Sequence, residues 1–324
     1  MKVLVTGGAG YIGAHVARAL AEGGHVAVVL DDLRASSAAR TEGHAFELVA
    51  LEDTAGVLGV FQRHRPDAVV HLAGSISVGE SVRDPAKYWS NNLGGGASLL
   101  LACARFPIRA FLFSSTAAVY GNVGVSPIPE SAPLSPTSPY GASKLAFEHL
   151  LHASAPGLGF RSAALRYFNA SGAHPGWRVG EAHDPEEHLV PRVVGAILEG
   201  RPVQVYGRDY PTPDGSCVRD YIHVTDLAEA HVRVLEANGL PSGSSFNCGT
   251  GRGHSVLEVI HAVAARLGRE PRIEDGPRRP GDPASLVADP TALFAAVSWR
   301  PSQSSLEEIV DSAAAWELWR RRSA

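Results

Sequence analysis

The sequence predicts a doubly wound parallel α/β sheet followed by a smaller C-terminal α/β lobe. Three observations predict it: five short apolar runs in the first half, helical stretches set between them, and a glycine-rich turn at the first junction of strand and helix. Runs at 3–5, 26–30, 68–71, 110–113 and 162–165 are apolar nearly throughout, the pattern of strands buried on both faces. Between them, 14–22, 55–64, 85–104 and 140–153 carry helical patterns. That alternation implies right-handed crossovers and a parallel sheet. After about residue 170 the spacing loosens, and Pro, Gly and charged residues gather at 173–188, 207–215 and 276–283. We read 1–169 as one domain and 170–324 as a second lobe of long loops, short strands and helices such as 255–267 and 306–319. Parts near 219–248 are expected to pack back on the first domain. The five prolines of 126–139 suit a rigid surface connection leading into the next helix.

Composition excludes several classes. The chain has 324 residues, 45% hydrophobic and 19% charged, with 29 basic and 33 acidic side chains and a formal charge of -4. With no basic run, it carries no electrostatic footprint for nucleic acid or an anionic membrane. No apolar run approaches the ~18 residues of a membrane-spanning helix. Cys103, Cys217 and Cys248 are far apart and form no CxxC pair, which suits a reducing compartment. The N-terminus runs straight into a strand without a signal-type segment, so the expected location is cytoplasmic.

The first strand leads into Thr6-Gly7-Gly8-Ala9-Gly10-Tyr11-Ile12-Gly13 and then a helix. Glycines there allow a tight turn, a close backbone approach to a pyrophosphate and close packing of helix on strand, with free N–H groups facing the anion. Asp31 ends the second strand about 20 residues on, where a carboxylate accepts the hydroxyls of an adenosine ribose. That carboxylate repels the additional phosphate of NADP, so the expected cofactor is NAD, with Arg34 the one mild counter-indication.

Tyr140 and Lys144 lie at i, i+4 and so on one face of a helix. A nearby ammonium stabilises phenolate and lowers a tyrosine pKa from about 10, making it an acid or base near neutrality. Only Lys2, Lys87 and Lys144 are lysines among the 29 basic residues, so this pairing is hard to ascribe to chance. The fourth predicted strand ends in Ser114-Ser115-Thr116, and a hydroxyl at the carboxyl end of a parallel strand points into the ligand crevice.

Together these motifs resemble the extended short-chain dehydrogenase/reductase superfamily, with its Rossmann-type sheet. Further stretches narrow the likeness: His71-Leu72-Ala73-Gly74, Asn91-Asn92, Leu165-Arg166-Tyr167-Phe168-Asn169, and Asp209-Tyr210-Pro211-Thr212-Pro213-Asp214-Gly215 running into Val218-Arg219-Asp220-Tyr221-Ile222-His223. From Lys2 to about Trp299 the chain is similar to the UDP-glucose 4-epimerase family.

The resemblance implies an NAD-dependent epimerase that interconverts UDP-glucose and UDP-galactose through a 4-keto sugar. Tyr140 would be the acid/base, Lys144 its partner on the nicotinamide ribose, and Thr116 the guide of the sugar oxygen. NAD would meet Gly7, Gly10, Tyr11, Ile12 and Gly13 at the turn, and Asp31, Asp32, Leu33 and Ser36 after the second strand. It would also meet Leu72, Ala73, Gly74, Asn91, Ser114 and Phe168. The UDP-sugar would meet Asn169, Arg219 and Arg279 at the diphosphate, with His188 and Leu189 nearby. Asp282 would meet the uridine ribose, Tyr206 the uracil and Leu286 the sugar. Ala50 and Ile76 stand where relatives carry an aspartate and a lysine toward the cofactor, which weakens the case for very tight NAD retention. Leu286, intermediate in size, leaves UDP-N-acetylglucosamine open as a second substrate, and other UDP-sugars such as the glucuronate or a pentose remain alternatives. A homodimer through helices near 88–104 and 140–153 is implied as well.

Two other classes are weighed. A dehydratase needs an additional acid and base after the hydroxyl residue, and Ala117-Ala118 supply neither. A non-catalytic NAD-bound sensor would be expected to lose the tyrosine or the lysine, and both are present. His183 and His188 hint at a metal, but no carboxylate or cysteine set is seen to complete a site, so none is expected.

Overall fold

The apolar runs become the interior of the main sheet. In the computed structural model, which describes residues 1–279 and 281–323, seven parallel strands form that sheet. They are β1 (Lys2–Thr6), β2 (Val26–Asp31), β3 (Ala45–Leu48), β4 (Ala68–His71), β5 (Ala110–Thr116), β6 (Arg161–Tyr167) and β7 (Ser244–Cys248), in the order β7-β6-β5-β4-β1-β2-β3. The five expected strands are the five inner ones. The two edge strands were not legible: Leu48 of β3 is 64% exposed, and an edge strand need not be apolar on both faces.

Alternation along each strand feeds two apolar layers. Val3, Val5, Val29, Val70 and Leu112 meet α1 (Tyr11–Glu22) and the helix Val224–Glu236 on one face. Leu4, Val28, Val69, Phe111 and Phe113 meet the helices Thr54–His64, Gly95–Arg105 and Pro139–Leu158 on the other. Each fully buried side chain of this size contributes about 1.5–3 kcal/mol of transfer free energy. The chain thus returns from its second half to the first sheet twice, with β7 on the edge of β6 and Val224–Glu236 against α1. A third core joins the helices Leu189–Glu199, Val256–Leu267 and Leu306–Ser323. Val256–Leu267 starts on a reciprocal cap between Ser255 and Glu258.

The single helix expected over 85–104 is three pieces: Pro85–Tyr88, a π-helical stretch Trp89–Gly94, and Gly95–Arg105. Three consecutive glycines explain the break, and Gly96 has a packing use. A Cβ there would lie 2.3 Å from the Phe147 ring, so the glycine lets two helices approach closely. π-turns of this kind recur at functional sites, and this one carries Asn91 and Asn92. Among the described residues no helix is long and apolar enough to cross a membrane.

Register brings the carboxyl ends of the inner strands level: Thr6 pairs with Leu30 and His71, His71 with Phe113, and Thr116 with Tyr167. The strand order reverses beside β1, the place where parallel α/β sheets open a ligand crevice.

Candidate active site

The glycine turn after β1 is too tight for a side chain at Gly7 or Gly13. Gly7 has φ 68°, and a Cβ on it would sit 2.6 Å from the Ala73 nitrogen; one on Gly13 would sit 2.0 Å from the Gly7 carbonyl oxygen. Gly10 caps α1 without a side-chain acceptor, leaving the first-turn N–H groups of Tyr11, Ile12 and Gly13 for an anion. Tyr11 contributes no side chain to the turn, because its hydroxyl donates to the Gly172 carbonyl at 2.6 Å and burial pushes it above its ordinary value.

At the end of β2 the Asp31 carboxylate accepts from Ala9 N (3.0 Å), Leu33 N (2.9 Å) and the Ser36 hydroxyl (2.6 Å). These contacts hold an anion where an adenosine ribose would lie. Arg34 lies 2.7 Å from Asp32 and 2.9 Å from Glu52, so its charge is already matched and the counter-indication to NAD loses force. Gly13→Ala is expected to strain this turn by about 1–3 kcal/mol, which is ~10–100-fold weaker dinucleotide binding. Calorimetric titration with NAD checks it against Gly157→Ala, a helical position with nothing within 4 Å of the added carbon.

The helix Pro139–Leu158, capped by the Ser138 hydroxyl, presents Tyr140 and Lys144 to the end of β5. Lys144 is buried, donates from Nζ to the Ser114 carbonyl at 2.9 Å, and lies 4.9 Å from the centre of the Phe113 ring. Burial pulls it down to about 8, with Glu148 opposing. Burial also takes His71 down to about 3, and the Lys144 charge adds to this; its Nδ1 shares a 2.7 Å hydrogen bond with Thr6.

Tyr140 is half-buried, its ring edge-on to Tyr88 at 6.3 Å. Burial raises its pKa, and only a hydrogen bond with Thr116 acts the other way. The expected lowering by Lys144 is not seen. The ammonium is engaged by the Ser114 carbonyl, and desolvation dominates the phenol. Thr116 accepts from Ala118 N at 3.1 Å and hydrogen-bonds the Tyr140 phenol, which aligns the two hydroxyl groups.

Asn92 is a part of the site that sequence reasoning missed. It accepts from Ser75 N (2.8 Å) and donates to Ser75 O (3.1 Å) and the Ser143 hydroxyl (3.0 Å), tying the loop after β4 to the Tyr140 helix; Asn91 donates to the Ser75 hydroxyl at 2.9 Å. Behind it runs a buried polar network. Glu148 pairs with Arg166 at 2.7 Å and accepts from the Ser115 hydroxyl, Arg166 donates to Tyr120 Oη at 2.9 Å, and Tyr120 donates to Asn247 on β7 at 2.7 Å. The i+4 spacing of Lys144 and Glu148 was the signal available for it.

Asn169, His188, Leu189, Tyr206, Arg219, Arg279 and Asp282 all line one cavity of about 760 Å³. Asn169 is oriented by donating to the Asp220 carbonyl at 2.8 Å. Arg219 and Asp282, expected on different parts of a nucleotide, pair with each other, and the Arg279 guanidinium lies 4.1 Å over the Tyr206 ring. Tyr140, Thr116 and Leu286 are not in that lining. Leu286 and Phe168 instead pack on Val119, Tyr120 and Ile128, next to the short helix that Thr116 caps.

One expectation is corrected. No carboxylate set was seen to complete a metal site, yet Glu181, His183, Glu186 and His188 gather their ligand atoms within 4.8 Å of one another. The four lie in an irregular loop whose fold-back matches no regular ligand spacing, so the cluster was not readable from the sequence. The carboxylates push His183 up to about 9; at His188 burial opposes them, and they still carry it up to about 10.

Comparison with known proteins agrees in extent with this layout. A family model described as the NAD dependent epimerase/dehydratase family matches residues 3–249. A UDP-glucose 4-epimerase of Azospirillum brasilense is 46% identical over 322 residues, 98% of this chain and 92% of that protein. The crystal structure of UDP-glucose 4-epimerase from Brucella ovis in complex with NAD superposes with a TM-score of 0.92 at 43% identity, covering 97% of each chain. A UDP-glucose-4-epimerase of Stenotrophomonas maltophila, with bound NAD and formylated UDP-arabinopyranose, gives 0.96 at 38% identity over 100% of both.

Proposed function

Because the chain belongs to the NAD dependent epimerase/dehydratase family, we propose that it is an NAD-dependent isomerase interconverting UDP-glucose and UDP-galactose through a 4-keto sugar. The observation that carries the reading is the meeting of Thr116, Tyr140 and Lys144 at the carboxyl end of β5, beside a cavity lined by Arg219 and Arg279.

The glycine turn and the Asp31 carboxylate fit a dinucleotide: the turn has no room for a Cβ at Gly7 or Gly13, and the carboxylate stands ready for ribose hydroxyls. Gly7, Gly10 and Gly13 would hold the pyrophosphate, and Asp31 the adenosine ribose. When bound, oxidised NAD supplies the two-electron step at sugar C4 and one positive charge.

Tyr140 takes the proton of the 4-hydroxyl and later returns one to the oxygen presented from the other face. Its raised pKa means that it works near neutrality only when positive charge reaches it, and Lys144, one turn along the same helix, is the protein's own source. Thr116 directs the sugar oxygen toward the phenol. Arg219 and Arg279 grip the diphosphate through planar forks, so the sugar turns about a fixed anchor. Asp282 leaves Arg219 to take the uridine ribose, and Tyr206 supports the uracil. Ala117 and Ala118 transfer no proton, which disfavours elimination of water.

Incubation with UDP-galactose tests this. Conversion to UDP-glucose without net NADH supports it, and bound NAD with no conversion supports a sensor instead. The intermediate size of Leu286, which packs on the cluster next to the helix that Thr116 caps, favours a second substrate with an N-acetyl group. Leu286→Tyr is then expected to depress UDP-N-acetylgalactosamine turnover about tenfold more than UDP-galactose turnover. Equal effects in a two-substrate assay remove Leu286 from the pocket wall.

Exposed Leu101 and Leu150 lie on the mutually packed helices Gly95–Arg105 and Pro139–Leu158 and favour a homodimer through that face. Light scattering is expected to give twice the chain mass, and a monomer at micromolar concentration contradicts it. Cys103, Cys217 and Cys248, all free and buried, fit a cytoplasmic location.

A further inference from the structure

We propose that Glu181, His183, Glu186 and His188 form a divalent-metal site of the zinc class, which clips the loop ahead of the helix Leu189–Glu199. The proposed epimerisation does not use this cluster as a metal centre.

Distances support the assignment. His188 Nδ1 lies 2.5 Å from Glu181 Oε1 and 3.4 Å from Glu186 Oε1, and His183 Nδ1 lies 3.1 Å from Glu181 Oε1 and 3.9 Å from Glu186 Oε2. Zinc bonds of about 2.0–2.2 Å place tetrahedral ligand atoms roughly 3.3 Å apart, in the middle of that range. Two imidazoles and two carboxylates are a borderline donor set that suits zinc, and the two negative charges match a divalent ion.

The scaffold fits as well. Glu181 is buried, follows the strand Val179–Gly180, and its carbonyl accepts from the Trp316 indole at 2.7 Å. Backbone N–H groups of His183 (3.3 Å) and His188 (3.0 Å) donate to the Glu186 carboxylate, so the loop already wraps that side chain. His188 occupies the N-cap of Leu189–Glu199 but makes no cap hydrogen bond, so its ring is turned to the cluster. It is also half-exposed, which provides an entry path. Arg40, beside the strand that precedes Glu181, donates to the Gly180 carbonyl at 3.2 Å rather than to a ligand atom. Since His188 and Leu189 line the same cavity as Arg219 and Arg279, a bound metal would fix one wall of that cavity.

Titration of tag-free, metal-stripped protein with Co²⁺ tests this without reference to activity. The site predicts one equivalent bound with the intense visible absorption of tetrahedral Co²⁺, removed by one equivalent of Zn²⁺. His183→Asn and Glu186→Gln are each expected to weaken Co²⁺ binding by about 10–100-fold or more, since even outer-shell changes cost that much. Zn²⁺ should raise the melting temperature of the parent protein and not of the variants. A parent protein showing only the pale octahedral spectrum, or no saturable binding, overturns the proposal and leaves a set of His–Glu ion pairs. Unchanged binding in both variants overturns it too, by placing the metal elsewhere.

Discussion

Tyr140→Phe is expected to lower UDP-galactose turnover by about 10²–10⁴-fold, the range of positioned proton transfer, while NAD retention stays unchanged. The substitution removes only Oη: the ring keeps its edge-on contact with Tyr88, and Lys144 keeps the Ser114 carbonyl. The pH profile sharpens the reading. Burial holds the phenol above its ordinary value, bound positive charge brings it down, and the reaction needs the phenolate, so parent kcat should rise with pH until Tyr140 is ionised. The residual activity of the variant should lack that limb. A variant with near-parental turnover and the same pH limb contradicts the role assigned to Tyr140.

Glu148→Ala is expected to cost about 3–5 kcal/mol of stability, because it leaves the Arg166 guanidinium buried without its partner. Both side chains are at most 5% exposed, so solvent cannot take over the charge. The loss spreads along named contacts: Arg166 holds Tyr120, Tyr120 holds Asn247 on β7, and Glu148 holds Ser115, which sits between Ser114 and Thr116 at the end of β5. Urea unfolding measures it. The double change Glu148→Leu with Arg166→Met should recover much of the loss, since an apolar replacement of a buried pair is often neutral. A loss below about 1 kcal/mol in Glu148→Ala shows that water or a rearranged Arg166 replaces the carboxylate.

What could be read from the sequence follows the physics of each element. The inner strands were legible because burial on both faces requires unbroken apolar runs, as in Val3, Leu4 and Val5. The edge strands were not: no residue of β3 is buried, and β7 breaks its apolar run with Ser244, Ser245 and the buried, hydrogen-bonded Asn247. Tyr140 and Lys144 were found because helical geometry turns a spacing of four into proximity, and Gly7 and Gly13 because a turn without room for a Cβ leaves a local signature. The polar lining of the cavity depended on long-range return of the chain. Arg219 and Asp282 are 63 residues apart, and only the resemblance related them. The raised pKa of Tyr140 was not legible for a different reason: spacing gives proximity to Lys144 but not the burial that pushes the phenol up. The His–Glu loop cluster was missed because its fold-back has no periodicity.

Running the reaction in D₂O tests the central claim most directly. If Tyr140 moves only the hydroxyl proton, UDP-galactose converts to UDP-glucose and the hydrogen on C4 never exchanges with solvent, so proton NMR of the product shows full intensity at every ring carbon position. Deuterium at C4 or a neighbouring carbon would mean a carbon-bound proton had been abstracted, and that result, or no conversion by NAD-loaded protein, contradicts the account.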